Sequence, residues 1–189
     1  MRWVVALIGL MASVGCGGKK SEPEWTVHRD LENAYQIEAL GPPKVVRGGE
    51  GGRSRLTHEY PTGDHVLAVE LTIDDLGDAV ASLPEEQRQS FAGQVRDAIV
   101  ASQDGTVRSS AEIDLGANII GRRSVVDIPS RSARAEIVSA FRGTKHVYLL
   151  VVSDQSDEMI ALATRIARSF RMLPEGGSSP RSGQTRENR

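Results

Sequence analysis

The chain has 189 residues, 39% hydrophobic and 25% charged, proportions that fit a globular domain and exclude a disordered or collagen-like protein. A formal net charge of −2 and a pI near 6.1 exclude a global attraction to nucleic acid or to an anionic bilayer, so any such binding needs a local patch. Arginine outnumbers lysine 19 to 4, a skew that fits bidentate anion recognition or the coding bias of a GC-rich genome.

The N-terminus reads as an export signal. Met1-Arg2 supplies a positive start, residues 3–14 a short apolar run, and Ser13-Val14-Gly15 small residues before a cut. Twelve residues fall short of the about 20 that a membrane-spanning helix needs. The segment "SVGC" carries the chain's single cysteine, Cys16, and resembles the lipobox of bacterial lipoproteins, with Ser13 where that pattern most often has leucine. The resemblance implies a signal peptide over residues 1–15 and a triacylated Cys16 as first residue of the mature chain, an anchor that holds essentially permanently. Because Gly17 and not aspartate follows, it points to the periplasmic face of the outer membrane in a cell envelope. A plain secretory signal with an incidental cysteine, or a buried first helix, is the alternative. One cysteine cannot form an intrachain disulfide, and lipidation would consume a thiol otherwise exposed in an oxidising compartment. Residues 16–24 then form the lipidated cysteine and a tether, whose eight residues after Cys16 reach at most about 28 Å.

From Trp25 to Leu173 the pattern is that of one globular domain, with no internal linker or repeat. "AYQIEAL" reads as a first strand, stopped by Gly41-Pro42-Pro43. "RSRLTHEY" and "HVLAVELTI" alternate with period two around "PTGD", which predicts a hairpin. Ser82 and Glu85 predict a capping box with Pro84 in the first turn, and Phe91, Val95, Ala98 and Ile99 recur at helical spacing up to Gly105. "TVRSSAEIDL", "NIIGRRSVVDI", "SARAEIVSAF" and "KHVYLLVVS" are four strands on connections short enough for antiparallel neighbours. Val147 to Val152 is apolar on both faces, as an interior strand requires. A closing helix begins near Ser156 or Asp157, buries Met159, Ala163, Ile166 and Phe170, and ends before Pro174. Residues 174–189 read as a disordered polar tail, with a partner-binding tail as the alternative. The order β-β-β-α-β-β-β-β-α predicts an α+β fold, an antiparallel sheet of about six or seven strands with two packing helices.

An early tryptophan, "YQIEALGPP", a hairpin, a helix, several long strands, "YLLVVS" and a last helix with "ARSF" resemble the PsbP-like α/β/α sandwich. That fold is shared by extrinsic photosystem II proteins and small bacterial lipoproteins. The resemblance covers about residues 25–173. It implies the sandwich and a role in binding or assembling other proteins, and it transfers no functional residue.

Motifs for catalysis are sparse. His28, His58, His65 and His146 are scattered without HExxH or CxxC spacing, and no serine sits in a GxSxG elbow. His58, Glu59, Asp64 and His65 surround the predicted hairpin, yet His58 and Glu59 must point to opposite faces. "GGEGG" at Gly48 to Gly52 lacks the ending of a phosphate loop and reads as a strand connection, and Asp74, Asp75 and Asp78 do not match a calcium-binding loop and read as a solvated acidic turn before the helix. Arg122, Arg123, Arg131 and Arg134 flank one predicted hairpin and form a candidate patch for an anionic partner. Eight aromatic residues in the chain disfavour a stacking platform for single-stranded nucleic acid. No cofactor, metal or nucleic acid is expected. The expected role is a membrane-anchored envelope lipoprotein that binds or assembles an envelope protein partner; the alternative is an envelope enzyme or small-ligand carrier.

Residues 175–189 contain no apolar side chain, so their deletion is expected to leave the melting temperature unchanged. A clear drop in a thermal melt would show that the tail docks.

Overall fold

The computed structural model describes residues 24–49, 54–62 and 66–174. The expected signal, Cys16, most of the tether, the tail, Asp64, His65 and most of the "GGEGG" segment lie outside the described residues.

The chain begins with β1 (Thr26–Asp30), β2 (Tyr35–Ala39), β3 (Lys44–Gly48), β4 (Ser54–Glu59) and β5 (Ala68–Asp75). Helices α1 (Asp78–Ala81) and α2 (Glu85–Ser102) follow. Four long strands come next: β6 (Thr106–Asp114), β7 (Ile120–Ile128), β8 (Ala133–Arg142) and β9 (Lys145–Asp154). Helix α3 (Asp157–Ser169) and the two-residue β10 (Arg171–Met172) close the domain. Seven strands form one antiparallel sheet in the order β3-β4-β5-β9-β8-β7-β6, and β1-β2-β10 form a separate small sheet.

Strand β9 explains the layering. Its register sets Leu149 beside Leu71 of β5 and Val138 of β8, so Val147, Leu149 and Val151 share one face with Val69, Leu71 and Ile73. Helix α3 and the inward side of the small sheet cover that face, through Ala163, Ile166, Phe170, Tyr35 and Ile37. Each large side chain buried there stabilises the fold by about 1.5–3 kcal/mol. The opposite face carries Val126, Ile128, Ala133, Ala135 and Ile137, which pack on Val100 of α2. Layers of helix, sheet and helix result, the α+β sandwich expected from the sequence.

The predicted long strands, the β4–β5 hairpin and α3 are all present, and Ser156 caps α3 by accepting from the Met159 amide at 3.4 Å. Three strands are additional. β3 is an edge strand exposed at every position, β1 is largely exposed and β10 is two residues long; none carries the alternation that burial imposes. "AYQIEAL" forms β2 in the small sheet and not a strand of the large one. The capping box is also corrected. Ser82 closes α1, its hydroxyl donating to the Ala79 carbonyl at 3.0 Å, and α2 starts after Pro84 with no side-chain cap. Glu85 instead pairs with Arg88 at 2.6 Å. Ala98 is exposed, and Ala92 and Val100 are the buried residues of α2.

Gly121 on β7 marks the tightest packing. A Cβ there would lie 2.5 Å from Leu115 Cδ1 and 2.8 Å from the Ser139 carbonyl oxygen. Leu115 is fully buried and the carbonyl belongs to a paired strand, so neither can retreat freely. Gly121→Ala is expected to destabilise the domain by about 1–3 kcal/mol, measured as a lowered urea midpoint.

Candidate functional site

Three polar groupings stand out. The first lies between the two sheets. His58 on β4 points to the α3 face, as its pairing with Leu71 dictates, and Tyr35 points inward from β2 to meet it. The Tyr35 hydroxyl contacts His58 Nδ1 and lies 2.7 Å from the Tyr60 hydroxyl. Asp30 Oδ2 stands 3.7 Å from His58 Nδ1, and the His28 ring lies edge-on to Tyr60 at 5.6 Å. Burial pushes both tyrosines well above their ordinary range and lowers His58, against the opposing pull of Asp30. The hydroxyls therefore stay protonated and the imidazole neutral at physiological pH. The arrangement links the two layers by hydrogen bonds. Glu59, the neighbour on the opposite face, binds Lys44 at 3.0 Å.

The second grouping is on the α2 face. Arg55 holds Asp74 in a two-point contact of 2.6 and 3.0 Å, which keeps the guanidinium firmly charged. Asp75 accepts from the Gly77 amide at 3.1 Å, and Asp78 sits in the first turn of α1. Among the described residues no three His, Cys, Asp or Glu side chains could hold a metal ion. Nearby, His146 is 0% exposed, packed edge-on and tilted among the rings of Phe91, Phe141 and Tyr148, with neither ring nitrogen hydrogen-bonded. Burial lowers its pKa to about 4.

The four arginines of the sequence patch are distributed. Arg122 points to the α2 face and pairs with Glu112 at 3.2 Å. Arg123 points to the α3 face, where it and Thr164 hold the buried Glu136, the guanidinium at 2.6 Å. Arg134 shares that face and binds Asp127 at 3.1 Å. Arg131 lies exposed in the short 3₁₀ turn between β7 and β8. Arg123 is thereby tied to folding, since removing one partner of a buried ion pair costs about 3–5 kcal/mol.

A third grouping was not anticipated. The last turns of α3 lie beside β2, where the Glu38 amide donates to Ser169 Oγ at 2.8 Å. Two adjoining depressions of about 440 and 240 Å³ share Glu38, Arg168 and Ser169 and form one shallow groove. Arg165, Arg168 and Arg171 line it, and Arg29 shares its outward face, opposite Gln36. Glu38 is the acidic residue lining the groove, and it binds Arg165 at 2.7 Å. Arg29, Arg168 and Arg171 make no ion pair among the described residues. The spacing of positions 165, 168 and 171 in "TRIARSFR" was the available signal; the contribution of β1 and β2 was not visible without the small sheet.

No protein-family model matches the chain, and no curated protein matches it. The fold is similar to the solution structure of cyanobacterial PsbP (CyanoP) from Synechocystis sp. PCC 6803, with a TM-score of 0.52 and 12% identity, covering 84% of this chain and 98% of that one. A protein of unknown function from Pseudomonas aeruginosa, PA94, aligns at a TM-score of 0.37 and 12% identity over 74% of this chain and 94% of that one. The fold of this chain is therefore PsbP-like.

The buried histidines impose a pH dependence. The folded state keeps His146 neutral down to about 4, whereas the unfolded imidazole takes a proton near its ordinary pKa of about 6.5. Stability is therefore fully present above about 6.5 and falls as pH drops toward 4, with His58 contributing in the same direction. His146→Leu is expected to flatten that fall by up to one proton, about 1.4 kcal/mol per pH unit. Urea midpoints across this range measure it, and an unchanged slope would assign the dependence to other groups.

Proposed function

We propose that this protein is a lipid-anchored module of the bacterial envelope that works by binding and not by turnover. Acyl chains on Cys16 hold it at the periplasmic face of the outer membrane. The observation that carries the binding role is the arginine-lined groove beside α3. There Arg168 and Arg171, with Arg29 on the same outward face, are exposed without an ion pair among the described residues, while Arg55, Arg122, Arg123 and Arg134 each have a carboxylate partner. Planar guanidinium groups without a carboxylate partner are suited to bind carboxylate or phosphate. The long edge strand β6 offers further exposed surface to an envelope protein.

A second reading, an envelope enzyme or small-ligand carrier, is favoured by one observation, the convergence of Tyr35, His58 and Tyr60. In that reading His58→Gln stops turnover of an envelope substrate while the fold persists. In the binding reading it lowers stability only.

Cys16→Ser is expected to abolish fatty-acid labelling in cells and to release the folded domain from the membrane fraction. Labelling that survives the substitution would remove the anchor from this proposal.

A further inference from the structure

We propose that the arginine-lined face of the small sheet rests on the membrane and binds the phosphate groups of anionic lipids. The inference rests on the reading that Cys16 carries the lipid. It deepens that reading by naming what the groove meets.

Three observations converge on one surface. The outward side of the small sheet sets Arg29, Gln36 and Arg171 in a single cross-strand row, and Arg168 of α3 stands over the same groove. These guanidinium groups can hydrogen-bond phosphate oxygens in pairs, and a shallow, open groove suits a headgroup layer better than an enclosed ligand. The same face exposes apolar surface. Val27 lines the groove and is 52% exposed, and Leu31 in the β1–β2 turn is 70% exposed. Arginine next to exposed aliphatic side chains is the composition of a surface that lies in the interface between water and lipid.

The covalent chain adds the third observation. β1 begins at Thr26, and Val27 in the groove follows Trp25 by two residues. Eight residues separate Cys16 from Trp25 and span at most about 28 Å. A lipid on Cys16 therefore brings β1 close to the headgroups before any other strand of the domain. An acidic protein could meet the same charges, but neither the tether length nor the exposed Val27 and Leu31 would then be accounted for.

The test uses the full chain carrying Cys16→Ser, so that acyl chains do not mask the contact, with and without Arg29→Gln, Arg168→Gln and Arg171→Gln. Partition is measured onto vesicles of phosphatidylglycerol mixed with phosphatidylcholine, and onto phosphatidylcholine alone. Any headgroup-independent contribution of the apolar residues 3–14 is common to both chains and cancels. A basic residue near an anionic surface contributes about fivefold in partition, so the triple variant is expected to lose on the order of 100-fold on the anionic vesicles. It should lose nothing on phosphatidylcholine, and raised salt should weaken the parent on anionic vesicles. Circular dichroism confirms folding. Arg171 also donates to the Arg168 and Phe170 carbonyls, so the double variant Arg29→Gln, Arg168→Gln serves as a second measure, with an expected loss of about 25-fold.

Anionic partition that is indifferent to the arginines overturns the proposal. So does a variant that keeps its partition but loses in-cell crosslinks to an acidic envelope protein, which would make the groove a protein site. Fatty-acid labelling separates the two readings. Labelling retained at Cys16 with arginine-independent partition fails this inference alone, and labelling absent with arginine-dependent partition fails the anchor alone.

Discussion

The structure depends on burying strand β9 on both faces at once. Val147, Leu149 and Val151 point one way and His146, Tyr148, Leu150 and Val152 the other, so the sheet must be covered twice. The two covers are unequal. On one side α3 and the small sheet build a continuous core that includes Tyr35, Leu71, Leu149, Ile166 and Phe170. On the other, α2 buries only Ala92 and Val100 fully, and the face beneath retains Thr72, Asp74, Ser124 and Ser139. The thinner cover explains why Arg55 and Asp74 can form a tight ion pair there beside solvent, while Phe91 of α2 reaches down with Phe141 and Tyr148 to shield His146.

Charge follows the same logic. Where carboxylates are buried against the sheet they find arginines, as Glu136 finds Arg123 and Asp74 finds Arg55, because an uncompensated buried charge is too costly to keep. Among the described residues, Arg29, Arg168 and Arg171 have no carboxylate partner and lie on exposed surface. The groove beside α3 sets Arg168 and Arg171 near Glu38, which is already bound to Arg165, with Arg29 on the same outward face of the small sheet. A near-neutral chain thus presents a local positive field, which is the form of attraction to anions that its overall charge leaves open.

The buried tyrosine and histidine group illustrates why convergence alone does not make an active site. Tyr35, His58 and Tyr60 are close enough to pass a proton. Burial nevertheless holds the hydroxyls protonated and the imidazole neutral, so each group satisfies the others and the cluster ties the small sheet to β4. The likeness to CyanoP speaks to the fold; the functional reading rests on the exposed face of the small sheet.

The sequence by itself determined the elements that burial marks. The long strands β5 to β9 and helix α3 are legible because buried positions recur with periods of two and about 3.6 residues. The short exposed strands β1, β3 and β10 leave no such mark, and the role of Ser82 was misread because α1 takes the turn that the capping box required. The site divides in the same way. Strand geometry alone separates His58 from Glu59 onto opposite faces, and the same alternation separates Arg122 from Arg123, so only the partners that each finds on its own face, Glu112 and Glu136, needed the structure. Only the tertiary structure set Arg29 of the first strand and Arg171 of the last on either side of Gln36. More than a hundred residues separate them in the chain, and it is the pairing of both strands with β2, driven by burial of the inward side of the small sheet, that brings them into one row.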